Sequence, residues 1–461
     1  GLAVTTGLNN TLIGSLAGDA LTDADRNVAL GYAALSSDTL GSRSVAIGNS
    51  ALFYQNFTTA TDTYNIAIGD RAGNNVTTGV QNTLIGGLAG DALTDADFNV
   101  AIGYSALSND TLGSKSVAVG HNNLASQNFT TATNSFNTAI GHGAGLSVTT
   151  GINNTLIGGL AGDALTDADY NTAVGFEALT TDVLGSRSVA IGFNALTTQN
   201  PATAVNMYNV GVGFNAGQQI TTGTLNTFVG GLCGDGTDDG EGNTAVGYLA
   251  LSANCGDHNT AVGGGALNAC TGSQNTAVGE NAGKLVTGVQ NVLMGVDALD
   301  NLTTGGVNTG IGYNLNASAV DVSHEIVIGS NTTGAGTHTV RIGTFAANAT
   351  LNLDGSDTSW AAASDARLKD DVVDSTVGLE FIKDLRPVTF KWKAKNAIAD
   401  TLPRYDANST DPVYGFGKYH HGFIAQEVKA VIDSHSDVVN GHNLWSEDPD
   451  GTQQLAPAAL V

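Results

Sequence analysis

The sequence Asn-Thr-Leu-Ile-Gly stands at residues 10–14, 82–86 and 154–158, and Asn-Thr-Phe-Val-Gly stands at 226–230. The interval between these copies is constant and defines a 72-residue super-repeat, which we call the long period. A shorter unit recurs inside it: Asn or Ser, a small or β-branched residue, usually Ala or Leu, usually Ile or Val, and Gly. We call this unit the pentad. Its first residues are Asn10, Asn27, Ser44, Asn65, Asn82, Asn99, Ser116, Asn137, Asn154, Asn171, Ser188, Asn209, Asn226, Asn243, Asn259, Asn275, Asn291 and Asn308, and degenerate copies lie at 326–329 and 340–343.

The spacing of the pentads decides the fold class. Successive pentads stand 17, 17, 21 and 17 residues apart, and after Asn243 the steps tighten to 16. A unit this short cannot hold a helical hairpin, and strong helix formers are scarce in it. The closing glycine allows a backbone conformation that residues with a β-carbon avoid. The repeat therefore predicts a mainly β protein with a β-solenoid or β-roll rod at residues 1–345.

Alternation within the pentad assigns side chains to two strand faces. Val28 and Leu30 share one face and Ala29 takes the other. We expect the first face to be buried between turns. The Ala-rich second face suits close approach to another chain, and its members are Ala29, Ala46, Ala67, Ala101 and Ala118. Asn at one fixed position per turn predicts a hydrogen-bonded ladder. Twenty turns at about 4.8 Å each give a rod on the order of 95 Å long.

Charge and composition exclude several partners. The chain has 42 acidic and 17 basic residues, a formal net charge of −25. Binding to nucleic acid or to an anionic membrane needs clustered Lys and Arg, so we expect neither partner. No apolar run approaches the roughly 20 residues that span a bilayer, so we expect no membrane insertion. Residue 1 already lies inside the repeat, which predicts that the chain is a fragment of a longer protein.

Two residue groups in the rod raise the possibility of metal or redox chemistry. Three cysteines (Cys233, Cys255, Cys270) are an odd number without C-x-x-C spacing, and we interpret them as buried thiols. The runs at 18–25, 90–97 and 162–169 each place three Asp within seven residues. Calcium is one interpretation, because hard cations prefer oxygen ligands. We favour solvated turns, because no Glu or Gly completes a known calcium loop, and we predict no metal and no cofactor.

The longest steps between pentads predict a row of loops. Each inserts four extra residues, near Gln55, Gln127 and Gln199. Longer turns at regular intervals along one edge point outward, where binding usually takes place.

Composition changes sharply after about residue 350. All three tryptophans (Trp360, Trp392, Trp445), five of six prolines and seven of nine lysines lie beyond it. Leu379, Ile382 and Leu385 predict a short helix face that ends before Pro387. Residues 388–393 alternate like a strand, and residues 421–428 are typical of a strand that runs into a helix. We therefore expect a linker at 346–363 and a small α+β domain at 364–461.

Three motifs in this region carry a resemblance. SDARLK at 364–369, LRPVTFKWK at 385–393 and GFIAQEV at 422–428 resemble the endosialidase-type intramolecular chaperone. That self-cleaving Ser–Lys family stands at the C-terminus of phage tail spikes and fibres, and it is shared with a eukaryotic membrane-bound transcription factor. The resemblance implies a module that trimerises the fibre and then cuts itself off, with Ser364 as nucleophile and Lys369 as general base. Family members usually continue into a terminal helix, so we expect the domain to be truncated at its C-terminus.

The residues themselves set conditions on this chemistry. In a helix, positions five apart differ by about 140° around the axis, and in a strand they point to opposite faces. Ser364 and Lys369 can therefore meet only through a turn or between chains. Lys369 must also lose its proton, which burial or a cationic neighbour favours. Arg367 is a candidate for that neighbour, and Asp365 opposes it. An isolated S-x-x-x-x-K is more often a polar linker, so the two companion motifs decide the interpretation.

Other polar residues of this region have structural interpretations. Gln426 and Glu427 suit a capping role or an interchain polar pair. His420 and His421 form a doublet without a third ligand at useful spacing, which argues against a metal site.

The pentads have a resemblance of their own. Residues from about 8 to 345 resemble the head repeats of trimeric autotransporter adhesins and the repeats of many phage tail fibres. This resemblance implies a parallel homotrimer, which the periodicity alone does not show.

These observations favour a viral structural protein. We expect the distal part of a phage tail fibre, located in the virion tail, that binds a host receptor (a glycan or a protein) and joins other tail proteins upstream. Its only enzymatic activity would be a single-turnover cut of its own chain. The alternative is a cellular surface adhesin or secreted filament with the same chaperone. A polysaccharide-degrading tailspike is a weaker third reading, because the acidic residues recur at turns and provide no unique carboxylate pair.

Overall fold

The structure is a computed structural model, and the residues that it describes are 1–345, 348–353, 361–362, 379–400, 405–413, 419–435, 445–447 and 453–455. The chain divides into two compact units, Gly1–Ala362 and Ala363–Val461. The first unit is a β-solenoid of about 20 turns, and the second is a small α+β unit. This confirms the mainly β fold class predicted from the pentads.

Each pentad forms one short strand, and each strand pairs in parallel with the strand of the next turn. Within residues 1–345 the strands are Thr11–Ile13, Val28–Leu30, Val45–Ile47, Ile66–Ile68, Thr83–Ile85, Val100–Ile102, Val117–Val119, Thr138–Ile140, Thr155–Ile157, Thr172–Val174, Val189–Ile191, Val210–Val212, Thr227–Val229, Thr244–Val246, Thr260–Val262, Thr276–Val278, Val292–Met294, Thr309–Tyr313, Ile326–Ser330 and Thr339–Thr344. The register is constant, because each pentad position lies opposite the same position of its neighbour. The sequence spacing therefore sets the register.

Short accessory strand pairs flank the three longest turns. They pair in parallel, Gly41–Ser42 with Thr61–Asp62, Gly113–Ser114 with Thr133–Asn134, and Gly185–Ser186 with Val205–Asn206. The tips of these turns, residues 58–60, 130–132 and 202–204, are exposed. The long turns thus form loops on the surface, at the predicted positions.

The structure reverses the predicted assignment of strand faces. Ala29, Ala46 and Ala67 are fully buried inside the solenoid of their own chain. The residues on either side of them point outward, and Leu30 is 41% exposed. The prediction that the Ala face approaches another chain is wrong. The middle strand position lies inside the solenoid whatever its size, because it holds Ala in most turns but Leu84, Phe228 or Val327 in others, all fully buried.

The outward positions form a surface along the rod, which we call the outer stripe; its third position is apolar at every turn, and its first position is Val or Ile in half of the turns and Thr in the other half. It consists of the first and third strand residues of successive pentads. Members with more than a third of their surface exposed are Ile13, Leu30, Ile140, Ile191, Val229, Val246, Val292, Met294, Ile311 and Ile342. Scattered exposed apolar residues are ordinary in soluble proteins, but a contiguous patch of this length marks an interaction surface.

The Asn that opens each pentad forms the predicted ladder. The side-chain Oδ1 of Asn10 accepts the backbone N–H of Asn27 at 2.9 Å, one turn later. The Nδ2 group of Asn27 donates to the carbonyl of Gly41 at 2.9 Å. An amide with both bonds therefore joins the start of a strand to the next turn and also closes its own turn. In the tighter turns the ladder becomes partly side chain to side chain, as from Asn259 Nδ2 to Asn243 Oδ1 at 3.1 Å.

Glycine at the end of each pentad is required by close stacking of the backbone. Gly31 has φ +140°, and a β-carbon there would lie 2.3 Å from the carbonyl oxygen of Gly48 in the next turn. That distance is shorter than any allowed contact, so another residue would force the turns apart.

Glu325 ends the ladder at the last turns of the rod. Its backbone N–H donates to Asn308 Oδ1 at 2.9 Å, as an Asn would. Its longer, fully buried side chain accepts from the N–H groups of Ser318 at 3.0 Å and Gly336 at 2.7 Å. The parallel stack then ends, because strand Thr339–Thr344 pairs antiparallel with Asn348–Asn352, which pairs antiparallel with Ala361–Ala362.

The second unit packs two helices against each other. Helices α1 (Leu379–Asp384) and α2 (Ala425–Ser434) accompany strands Val388–Phe390 and His420–Gly422, the 3₁₀ segment Lys395–Ala397, and the antiparallel strands Trp445–Glu447 and Gln453–Leu455. Phe381 and Leu385 pack with Val428 and Ile432, each pair four residues apart. No helix of the described residues is long and apolar enough to cross a membrane.

The predicted helix face is wrong in part. Leu385 is buried, but Leu379 and Ile382 are 66% and 50% exposed, and Phe381 takes the interior position. The helix has only six residues, so its position is decided by the i, i+4 pair Phe381 and Leu385 that meets α2. The predicted strand at 388–393 is also shorter and ends at Phe390.

Substitution of one ladder residue tests its contribution to stability. Asn99 accepts the N–H of Ser116 and donates to the carbonyl of Gly113, both at 2.9 Å in the buried interior. Asn99→Ala leaves both backbone groups without a partner, which costs roughly 2–6 kcal/mol at about 1–3 kcal/mol for each group. We expect a clearly lower urea midpoint by circular dichroism. The matched control is Asn109→Ala, which changes an exposed Asn and should leave the midpoint unchanged; equal midpoints for both variants would contradict the ladder's role.

Candidate functional site

The predicted catalytic pair lies outside the described residues. Ser364 and Lys369, with Asp365 and Arg367 between them, fall in the segment between Ala362 and Leu379. Their roles as nucleophile and general base stay predictions from the sequence.

The other two motifs of the second unit meet in the structure. Strand Val388–Phe390, from LRPVTFKWK, pairs antiparallel with His420–Gly422, which runs into GFIAQEV. The register places Val388 opposite Gly422 and Phe390 opposite His420. Two segments that are distant in sequence therefore form one local structure.

An ion pair links the same two motifs beside the strands. Arg386 Nε donates to Glu427 Oε2 at 2.9 Å, and a second guanidinium nitrogen donates to Oε1. The hydrogen bonds from Arg386 lower the pKa of the Glu427 carboxyl. The sequence suggested a capping role or an interchain polar pair for Glu427. The structure shows neither, but a bidentate ion pair with Arg386 of the same chain. Because both groups are largely exposed, the pair orients the two motifs more than it stabilises them.

The histidine doublet lies on the strand that joins these motifs. His421 Nδ1 is 3.1 Å from Thr389 Oγ1. The rings of His420, Phe390 and Trp392 contact one another, with the His420 centroid 5.8 Å from Phe390 and 6.4 Å from Trp392. Within the described residues, no cluster of three or more His, Cys, Asp or Glu has the proximity to hold a metal ion.

Sequence reasoning did not identify one polar contact between the helices. His435 Nε2, just after α2, lies 2.9 Å from the Asp384 carboxylate at the end of α1. The two residues are 51 positions apart, and no local pattern indicates their contact.

The Asp-rich turns of the rod are used for stacking. Asp25 Oδ1 accepts the backbone N–H of Leu8 at 2.7 Å, and Asp23 accepts the hydroxyl of Thr6. The same contacts recur one long period later, where Asp97 accepts from Val80 at 2.8 Å and Asp95 accepts from Thr78. These carboxylates therefore join each turn to the one before it, which goes beyond the solvated turns that we predicted.

A buried polar network anchors each long loop. Asp38 is fully buried, and its Oδ1 accepts the N–H groups of Gly41 at 3.0 Å and Phe57 at 3.1 Å. Its Oδ2 accepts from Gln55 Nε2 at 2.6 Å. The carboxylate thus fixes the start of the loop, at Gln55 and Phe57, to the previous turn.

Gln55 also repairs a gap in the Asn ladder. Ser44 opens its pentad in place of Asn, and its side chain is too short to extend the ladder. Gln55 Nε2 donates to Ser44 Oγ at 2.9 Å, and Gln55 Oε1 accepts from Asn65 Nδ2 at 2.9 Å. The equivalent residues in the next two long periods form the same network, namely Asp110, Ser116, Gln127 and Asn137, and then Asp182, Ser188, Gln199 and Asn209. The recurrence of Asp, Ser and Gln once in each long period was the available sequence signal for it.

The third network lacks one hydrogen bond. Pro201 stands where the first two loops have Phe57 and Phe129, and proline has no N–H to donate. Asp182 retains the donors Gly185 and Gln199. Burial raises the pKa of the Asp182 carboxyl from 3.8 to about 6, against the lowering effect of these hydrogen bonds. This carboxyl group therefore ionises in its buried site only as the pH approaches neutrality.

The three cysteines are free and buried in the rod interior. Burial raises the pKa of Cys233 and Cys270 to about 12, and it raises the pKa of Cys255 as well. Thiols in this state are unreactive core residues, as the sequence indicated.

The fold defines a class of protein, a β-solenoid rod with a compact α+β unit at its C-terminal side. Residues 364–437 match the family model described as the chaperone of endosialidase. No curated protein and no solved structure matches the chain. The chain therefore carries an endosialidase-type chaperone domain preceded by a repeat rod, as the three motifs predicted. At a coarse level, a chaperone domain of this kind implies that the chain associates with copies of itself.

The Asp182 site predicts a pH dependence. Because the folded-state pKa is raised, the neutral carboxyl stabilises the fold at low pH, and this contribution is lost as the pH rises through about 6. A shift from 3.8 to about 6 corresponds to about 3 kcal/mol between pH 3.8 and pH 7.5. We expect the difference in unfolding free energy between wild type and Asp182→Asn to change by about this amount over the range, measured by urea unfolding at each pH.

Two variants control this experiment. Asp239→Asn alters an exposed carboxylate outside the Asp–Gln networks and should run parallel to wild type. Pro201→Phe restores the missing N–H donor, so it should lower the Asp182 pKa and reduce the pH dependence. Parallel profiles for wild type and Asp182→Asn would show that Asp182 does not titrate in this range.

Proposed function

We propose that the protein is the distal part of a phage tail fibre, located in the virion tail. The rod forms a parallel homotrimer, presents the long loops to a host receptor and joins other tail proteins upstream. The C-terminal domain drives trimerisation and is released by autoproteolysis beside Ser364. In this proposal residues 1–345 are the fibre, 346–363 the linker and 364–461 the chaperone.

The outer stripe is the observation that carries the proposal. It runs along the rod as a column of partly exposed Ile, Val, Leu and Met at the third pentad position, beside a column of Val, Ile and Thr at the first, which a single chain in water leaves uncovered. Covering apolar surface stabilises an assembly by about 25 cal/mol for each Å² removed from water. A parallel trimer covers three such stripes at once around its axis. The self-association implied by the chaperone domain supports the same conclusion.

The receptor-binding role is supported by the three long loops. They protrude once in each long period, and each is held at its base by a buried Asp–Gln network. Exposed loops on a rigid scaffold are the usual position of recognition residues. In a trimer, nine loops would be presented along the rod, so that weak single contacts combine into strong attachment.

The cleavage step requires the hydroxyl group of Ser364 and the unprotonated amine of Lys369. The Ser364 hydroxyl attacks the carbonyl carbon of the scissile peptide bond while the neutral amine of Lys369 accepts its proton. The protonated lysine then donates that proton to the leaving nitrogen, and water hydrolyses the ester. The resulting protein would no longer contain its chaperone, so an aligned trimer would be kinetically trapped.

Cleavage is tested by expression of the full gene. Wild type should give two fragments that meet near residue 364 on a denaturing gel, and intact mass spectrometry should locate the bond. Ser364→Ala and Lys369→Ala should remain whole, whereas Lys383→Ala, at an exposed lysine of α1, should be cut like wild type. A wild-type chain that stays whole, or a Ser364→Ala chain that is cut, would disprove the assignment.

Trimerisation is tested by sedimentation of the fibre. Wild type should have three times the 46.6 kDa mass of this chain if it is not cleaved. Ile140→Asp places a charge on the outer stripe, where Ile140 is 38% exposed. Because a covered charge without a partner is costly, we expect this variant to dissociate at least tenfold more readily with unchanged circular dichroism. Asn109→Asp, at an exposed turn, should remain trimeric, and a monomeric wild type would overturn the proposal.

A further inference from the structure

Two columns of side chains border the outer stripe. The upstream column is the residue just before each pentad, and it has left-handed φ near +60° at every turn. The downstream column is the residue just after each pentad glycine. The upstream column reads Asn9, Arg26, Arg43, Tyr64, Gln81, Phe98, Lys115, Phe136, Asn153, Tyr170, Arg187, Tyr208, Leu225, Gly242, His258, Gln274, Gln290, Val307, His324 and His338. The downstream column reads Ser15, Tyr32, Asn49, Asp70, Gly87, Tyr104, His121, His142, Gly159, Phe176, Phe193, Phe214, Gly231, Tyr248, Gly264, Glu280, Val296, Tyr313, Ser330 and Thr344.

The upstream column concentrates the positive charge of the rod. It holds four of the seven Lys and Arg residues in 1–345. These cations lie beside aromatic rings of neighbouring turns: Lys115 is 5.2 Å from the Phe136 ring, and Arg187 lies between Tyr170 and Tyr208 at 4.8 and 6.0 Å. Each of these rings keeps about half of its surface exposed. An acidic rod therefore carries one column of half-covered rings and cations.

The downstream column holds stacked rings and the only two acidic residues of either column. Phe176, Phe193 and Phe214 stack at centroid distances of 5.7 and 5.4 Å, and each is 45–55% exposed. Tyr104 and two histidines form a second stack. The column contains no Lys or Arg, and its carboxylates are Asp70 and Glu280.

Threefold symmetry brings the two columns together. In the proposed trimer, the outer stripe of each copy faces a threefold axis parallel to the rod. The three copies of any one strand then follow one another head to tail around that axis. The downstream end of one strand then meets the upstream end of the next. Rotation about that axis also leaves height unchanged, so residues of the same turn face each other. We infer that the upstream column of each copy packs turn by turn against the downstream column of a second copy.

Residue size along the columns fits this pairing. At the turns where the downstream residue is Gly, the upstream residue is long: Gln81 with Gly87, Asn153 with Gly159, Leu225 with Gly231 and His258 with Gly264. The single upstream glycine, Gly242, shares its turn with Tyr248. No turn of the rod has glycine in both columns. At these five turns, the glycine of one copy would leave room for the larger residue of the next copy.

Chemistry along the columns fits it as well. Phe98 would face the partner's Tyr104, and Tyr170 would face the partner's Phe176. Arg187 would face the partner's Phe193, whose exposed ring favours a guanidinium. No Lys or Arg faces another, and no carboxylate faces a carboxylate, at any turn. The contact therefore adds directional recognition to the apolar outer stripe. It deepens the proposed trimer, on which it rests.

A pair of cysteines tests the contact directly. Lys115 and His121 border strand Val117–Val119 from opposite ends, six residues and roughly 15–20 Å apart within one chain. A disulfide needs α-carbons within about 7 Å, so a single chain cannot form it. In the full chain carrying Lys115→Cys and His121→Cys, mild oxidation should give covalent trimers on a non-reducing denaturing gel, because three disulfides close a ring. The native cysteines are buried and do not compete.

Controls separate this contact from the trimer itself. Either single cysteine should give no cross-linked trimer, and Lys115→Cys with Phe176→Cys, three turns and about 14 Å out of register, should give none. Should Lys115→Cys with His121→Cys fail to fold, Gln274→Cys with Glu280→Cys tests the same geometry at two exposed polar positions. A trimer by sedimentation without cross-links would overturn the column contact and leave the proposed trimer standing. Cross-linked dimers alone, or columns that bind a soluble glycan in place of a second copy, would also overturn it.

Discussion

The structure of the rod depends on one hydrogen bond, from the backbone N–H of a pentad to the Asn side chain one turn earlier. This hydrogen bond lies in the interior of the rod, so its loss would leave buried polar groups without hydrogen-bond partners. The bond holds neighbouring strands in fixed register and brings the pentad glycines so close that no β-carbon fits between them. Only the strands obey this constraint. The remainder of each turn is free to vary in length, as the uneven steps between pentads show.

The same constraint explains where the loops stand. Ser44, Ser116 and Ser188 interrupt the Asn ladder, and in each case a Gln from the following long turn supplies the missing amide. Each long loop therefore occurs at the turn where Ser replaces Asn in the ladder. A turn without the Gln would remove one of the two acceptors that Asn65, Asn137 or Asn209 has for its Nδ2 group. The regular placement of the proposed recognition loops is thus a consequence of packing in the interior.

Much of this architecture could be predicted from the sequence, because the short local spacing of the pentads determines stacking, register and the ladder. The choice of interior face could not. Val28 and Ala29 are both apolar, and the middle position is interior even where it holds Leu84 or Phe228, so residue size within the pentad does not identify the interior face. In the C-terminal unit, the motifs identified the domain, but the Arg386–Glu427 pair joins residues 41 positions apart that no periodicity connects. Ser364 and Lys369 were identified by motif alone, and their geometry lies outside the described residues.

The long period also sets the step by which the length of the rod can change. The hydrogen bonds of the Asp–Ser–Gln networks and of the Asp-rich turns connect residues of the same turn or of adjacent turns. Four consecutive turns therefore contain one copy of every such contact. Removal or duplication of one period would bring equivalent surfaces together and change the length by about 19 Å, four turns at roughly 4.8 Å each. The length of the rod would thus change by whole periods, while every contact between turns keeps its counterpart.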